Sequence, residues 1–222
     1  HRTSRRQRQM CIRDSNEETP DWLSFFMFTY FTDRDGKMQL ESLAQSGFDP
    51  LSRTCRFMLT EEAHHMFVGE TGVGRTIQAT AEAMNKAGIT DPYDINAIRD
   101  LGVIDLPTIQ KKLNLHYSLS LDLFGQEVST NAANAFNAGI KGRYMEHRLD
   151  DDHRLSNDTY DVKMVKDNQI ITEQMPALNA INMRLRDDYV SDASGGLNRW
   201  NKTLKRANID FAFAVPHEGV NR

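Results

Sequence analysis

The stretch TEEAHHMFVGE, residues 60–70, sets two carboxylates directly ahead of two imidazoles. Glu61 and His64 are three residues apart, and so are Glu62 and His65. Residues three apart on an α-helix share nearly one face, so either pair can close on a single cation. Oxygen donors with one nitrogen donor suit a transition metal that cycles between two oxidation states. The pattern is not that of a zinc protease, whose motif begins with His and repeats it four residues on.

A complete dinuclear site of this kind takes two Glu-x-x-His pairs and one carboxylate from each of two further helices. Two constellations compete for the nearest missing carboxylate. Asp33 lies 29 residues before Glu62, one helix and a return away, at the end of an aromatic helix with Trp22, Phe26, Thr29 and Tyr30 on one face. A single carboxylate on an apolar face is costly to bury unless paired or metal-bound. Alternatively, Asp122 is followed 28 residues later by Asp150, with His153 three beyond it. Composition favours Asp33, because LDDDHRLSND has the character of a solvated surface run. Periodicity does not choose between Glu61/His64 and Glu62/His65, since both faces also carry apolar residues.

The elements that must hold these groups are mostly helical. SNEETPDW has the turn and capping residues of a helix start, and an aromatic helix follows over Trp22–Phe31. TDRDGK is expected to break it, with a second helix over LESLAQSG. FDPLSR starts the next helix, with Pro50 in its first turn. That helix runs through EEAHH to about Glu82 or Asn85, with an interruption expected at GETGVG. GETGVG has the glycine spacing of a phosphate loop but follows a helix rather than a strand, which argues against that use. GITDPYD is a loop, INAIRDLG a short helix, and the stretch from DLPTIQKK to AGIKGR reads as one long helix or two. YDVKMV and IITEQ, separated by KDNQ, alternate as a β-hairpin, and helical spacing resumes from ALNAINMRL. The fold class is therefore mostly α with one small β-hairpin.

Composition sets outer limits. The chain has 222 residues, 39% apolar and 26% charged, and no apolar run long enough to span a membrane. Two cysteines, Cys11 and Cys55, make no disulfide framework and suit a reducing cytoplasm. Residues 1–15 carry five Arg and one Asp, a balance of +4, which leaves −8 on the remainder of a chain whose total is −4. This head lacks an amphipathic period, an apolar stretch and a cleavage signature, and MCIRDS resembles translated sequencing-adapter read-through. It is expected to be non-native or disordered, and neither nucleic acid nor membrane is expected as a partner.

As one string, TPDWLSFFMFTYFTDRDGKMQLESLAQSGFDPLSRTCRFMLTEEAHHMFVGETGVGR resembles the oxygenase component of benzoyl-CoA 2,3-epoxidases. The likeness continues through DLPTIQKKLNLHYSLSLDLFGQEVSTNAANAFNAGIKGR and RLRDDYVSDASGGLNRWNK, and covers roughly residues 16–222. The resemblance implies part of a ferritin-like four-helix core holding two irons. It implies Asp33, Glu62 and His65 as one half of the metal and catalytic site. Glu61 and His64 then become neighbours or surface groups, and Asp122, Asp150 and His153 lose most of their claim. In the family the other half-site comes from two helices upstream of the segment matching Asn16, so this chain is expected to be an internal fragment. Residues 16–145 would be the helical half of the core, and residues 146–222 a loop, hairpin and truncated helical region.

The implied activity is epoxidation of the benzoyl-CoA ring with O2, in aerobic benzoate degradation. NADPH would supply electrons through a separate flavin and iron–sulfur reductase. Trp22, Phe26 and Tyr30 are expected to wall the metal pocket. Arg53, Arg56, Lys111, Lys112, Lys141 and Arg143 are the cations available for the CoA phosphates. Two other outcomes stay open: a ferritin-like protein that oxidises or stores iron, and a helical fragment without activity.

Overall fold

A computed structural model describes residues 19–124 and 159–216. Its described residues form α1 (Trp22–Leu43), α2 (Asp49–Ala87), α3 (Ile95–Asp100), α4 (Leu106–Leu123), β1 (Thr159–Lys166), β2 (Gln169–Pro176) and α5 (Ala177–Arg206). The fold is mostly α with one antiparallel hairpin, as the sequence pattern predicts. No helix among the described residues is long and apolar enough to cross a membrane.

Local chemistry sets the helix ends. Asp21 caps α1 by accepting a hydrogen bond from the Ser24 amide at 2.8 Å. Pro50 stands in the first turn of α2, where its missing N–H costs nothing. Gly88 ends α2 in the left-handed region, with φ 71°. In the hairpin, Asp167 and Asn168 both take positive φ, the two-residue turn that matches strand twist.

Two expected breaks do not occur. α1 runs unbroken through TDRDGK, because tertiary contacts outweigh local propensity there. Arg34 is buried, lies 4.0 Å over the Tyr30 ring, donates to the Tyr30 carbonyl and pairs with Asp192 of α5 at 3.0 Å. There is accordingly no separate helix over LESLAQSG. α2 likewise continues through GETGVG as one helix of 39 residues, since its glycines face other helices rather than a turn.

Contacts between α1 and α2 run in opposite directions along the two helices. Phe26 meets Gly69 and Gly72, Asp33 lies by Glu62 and His65, and Leu40 clusters with Cys55. The helices are therefore antiparallel, with contacts repeating every seven residues on each. α4 lies parallel to α1, joined through Lys112–Asp21 and Thr32–Ser120. α5 runs antiparallel to α1 and beside the second half of α2, where Arg199 holds Glu70 and the Trp200 indole donates to the Glu70 carbonyl. Met27, Tyr30, Phe31, Ile77, Leu113 and Tyr189 fill the core between these four helices.

Candidate metal centre

Asp33 comes from the middle of α1, not its end as the sequence suggested, and Glu62 and His65 come from the first half of α2. His65 Nδ1 lies 3.6 Å from Asp33 Oδ2 and 3.8 Å from Glu62 Oε2. One donor atom from each residue falls within 4.8 Å of the other two. Both separations from His65 are too long for hydrogen bonds. Ligands at right angles around a cation with bonds of about 2.1 Å would sit about 3 Å apart, a small inward movement from here.

The register left open by the sequence is resolved by packing. Cys55, Glu62 and Gly69 are spaced by seven and face α1, opposite Leu40, Asp33 and Phe26. Glu61 is exposed instead, and of the two exposed imidazoles it is His65 that meets Asp33. A comparison of seven-residue stripes on the two segments would have revealed this register.

Electrostatics leave the pair of carboxylates short of positive charge. Burial, then the nearby Glu62 charge, push Asp33 up to about 6, with His65 acting against them. Burial also raises Glu62, with Glu61 adding to it and His65 opposing. Glu62 Oε2 is buried with no hydrogen-bond partner. A buried carboxylate oxygen without a donor is costly, and a cation between the two acids would remove the cost. On the α1 side, Gly36 lies beside the Glu62 carboxylate, where a Cβ would make an ordinary contact at 3.8 Å. His65, with half its side chain exposed, forms the open edge.

Other expectations fare differently. Trp22 does not wall this site: it is 74% exposed and 11 residues from Asp33, about 16 Å along the helix. Tyr30 is fully buried and donates to the Ala193 carbonyl at 2.8 Å, facing α5. Phe26 stands two turns from Asp33, against Gly72. Among the cations considered for CoA, Arg53 pairs with Asp49, and Lys112 binds Asp21 and Ser24 at 2.8 and 2.6 Å. Lys141, Arg143, Asp150 and His153 lie outside the described residues, as does the side chain of Asp122. Sequence reasoning missed the buried Arg34, whose partner Asp192 is 158 residues away, a distance no local pattern can signal.

No protein-family model matches the chain. Over 207 residues it is 56% identical to Benzoyl-CoA oxygenase component B of Aromatoleum evansii. Over that span the two chains are homologous. The match takes in 93% of this chain and 43% of the oxygenase component, so the chain spans less than half the length of that relative.

Proposed function

We propose that this chain is the metal-binding part of an oxygenase component that epoxidises the benzoyl-CoA ring at the 2,3-position. In this reading O2 is the oxidant, and NADPH supplies electrons through a flavin and iron–sulfur reductase, in the cytoplasm of a cell degrading benzoate aerobically. The observation that carries it is the convergence of Asp33, Glu62 and His65 within a chain 56% identical to a benzoyl-CoA oxygenase component.

Two carboxylates and one imidazole fit iron, with hard oxygen donors for the oxidised ion and a nitrogen donor for the reduced one. Bound iron would supply the electron transfer to dioxygen. Asp33 and Glu62 would each hold the ion through an oxygen and offset its charge, and His65 would close the set from the solvent side. Because Asp33 is raised to about 6, it would release protons as a cation enters near that pH. Three ligands hold one ion weakly. The first half of α2 also leaves Phe57, Met58 and Phe67 exposed, and we place there the helices of a ferritin-like core that carry the remaining ligands.

Anaerobic iron(II) loading followed by metal analysis tests the site. The expected result is less than one iron per chain, abolished in Glu62→Gln and His65→Ala. Joined to the rest of a homologous component B and given reductase, the protein should consume oxygen only with benzoyl-CoA present. Oxygen uptake driven by iron(II) alone would point to iron oxidation instead. Full turnover by residues 1–222 alone would refute the need for further ligands.

A further inference from the structure

The GETGVG stretch binds no phosphate in the reading above, yet its glycines are placed by contact rather than by chance. A Cβ built at Gly69 would stand 2.6 Å from the Tyr30 backbone nitrogen, 2.7 Å from Thr29 Oγ1 and 2.8 Å from the Phe26 carbonyl oxygen. At Gly72 it would lie 2.3–2.5 Å from the Phe26 ring. Gly74 is different: its Cβ would meet Trp200 of α5 at 3.6 Å, an ordinary contact.

Gly69 follows His65 by one helical turn, about 6 Å along the axis, and its contact Thr29 precedes Asp33 by the same distance. Helices behave as stiff rods over one turn, so the separation enforced at Gly69 is passed on to the ligand level. On the other side, seven residues from Asp33 and Glu62, Leu40 and Cys55 make the next contact. The ligands thus sit between an ordinary side-chain contact and a backbone contact that only glycine permits.

We infer that Gly69 and Gly72 are positioning residues for the Asp33–Glu62–His65 set, holding α1 and α2 close enough for one cation to reach both helices. They touch neither substrate nor metal. The inference rests on the metal reading above, and it has a readout that survives if that reading fails. The direction of change is unusual for a helix, where replacing glycine by alanine otherwise raises stability.

The test uses cobalt(II) as an optical probe of binding, thermal unfolding, and crystal structures of the metal-free variants. Gly72→Ala should weaken cobalt binding at least tenfold, and Phe26→Ala in the same chain should restore it to within threefold of Phe26→Ala alone. Gly69→Ala should weaken binding as much, and Thr29→Ala should not rescue it, because two of the three obstructing atoms are backbone. Gly74→Ala, the same chemical change facing α5, should bind within twofold of the parent and unfold at a higher temperature. In metal-free crystals the Asp33–His65 separation, 3.6 Å in the parent, should widen past 5 Å in Gly72→Ala and return in the double variant. Unchanged binding in both Gly69→Ala and Gly72→Ala, or failure of Phe26→Ala to rescue, would overturn the inference. Should the parent bind no cobalt, the metal reading falls. The crystal separations then decide the positioning role alone: widening supports it and an unchanged 3.6 Å refutes it.

Discussion

The two halves of α2 live in different solvents. From Gly69 onward its inward residues, among them Val73, Ile77, Ala81 and Met84, are buried in the main apolar cluster with residues of α1, α3, α4 and α5. Between residues 53 and 68 the same helix is covered mainly by α1, and Phe57 and Phe67 stand in water. Glu62 and His65 lie in this poorly covered half, facing Asp33 of α1. Stability is generated at one end of the rod, and the carboxylates that resist burial sit at the other. The difference teaches that one helix sets the stability of the fold in one stretch and the geometry of the site in another.

The largest effect should come from weakening the packed end. Ile77 is wholly buried, and Ile77→Ala should cost about 2–5 kcal/mol in urea unfolding, combining lost burial with a cavity. At temperatures where the variant stays folded, its metal affinity should match the parent. A drop in affinity as large as the drop in stability would mean the halves are not separable.

Next come two titrating groups on different helices, Asp33 in the middle of α1 and His116 on α4. Asp33 is raised to about 6 from 3.8, so the fold favours its neutral form. That stabilisation is present at low pH and is lost as pH rises through about 6. The ionised group then costs about 1–3 kcal/mol in the metal-free protein at pH 7. Asp33→Asn should therefore stabilise the metal-free fold by that amount at pH 7 and by little at pH 4, while losing the metal. His116 behaves oppositely. Burial, then the Lys112 charge, lower it from 6.5 to about 4, with Asp21 opposing. Its neutral form is favoured, so stability is full above 6.5 and falls as the pH drops towards 4, by up to about 3 kcal/mol. His116→Gln should flatten that acid limb and Asp33→Asn steepen it. Stability curves between pH 4 and 7 that respond alike to both changes would contradict the assignment.

The same contrast explains what was legible in the amino-acid order. Glu62-x-x-His65 could be read because three-residue spacing is local, and the hairpin because alternation and an Asp-Asn turn are local. Asp33 emerged only through the cost of an isolated acid on an aromatic face. The choice between Glu61 and Glu62 was hidden from any reading of that helix alone, since Met58 and Val68 give the outer face apolar residues too. It depends on Cys55 and Gly69, whose meaning lies in Leu40 and Phe26 across the helix pair. The false breaks had the same cause. Arg34 is tolerated mid-helix through Asp192, and the glycines of GETGVG are tolerated because α1 and α5 press against them. A one-dimensional pattern prices such residues as breakers because their partners are absent from the window.

The smallest effect should come from the exposed half itself. Phe57 is 76% exposed, so Phe57→Lys removes almost no buried area and should change unfolding free energy by under about 0.5 kcal/mol. Cobalt affinity should also stay the same, because the side chain touches no ligand and acts on no helix contact. What should change is association. Phe57, Met58 and Phe67 lie on two successive stretches of one poorly covered helix, and apolar surface of that kind draws partners or copies together. Light scattering of the isolated chain should fall on introducing the charge, and recombination with the rest of a component B should weaken. If Phe57→Lys instead unfolds the chain by more than 1 kcal/mol, that half of α2 is already covered, and the contrast between the two ends of the helix does not hold.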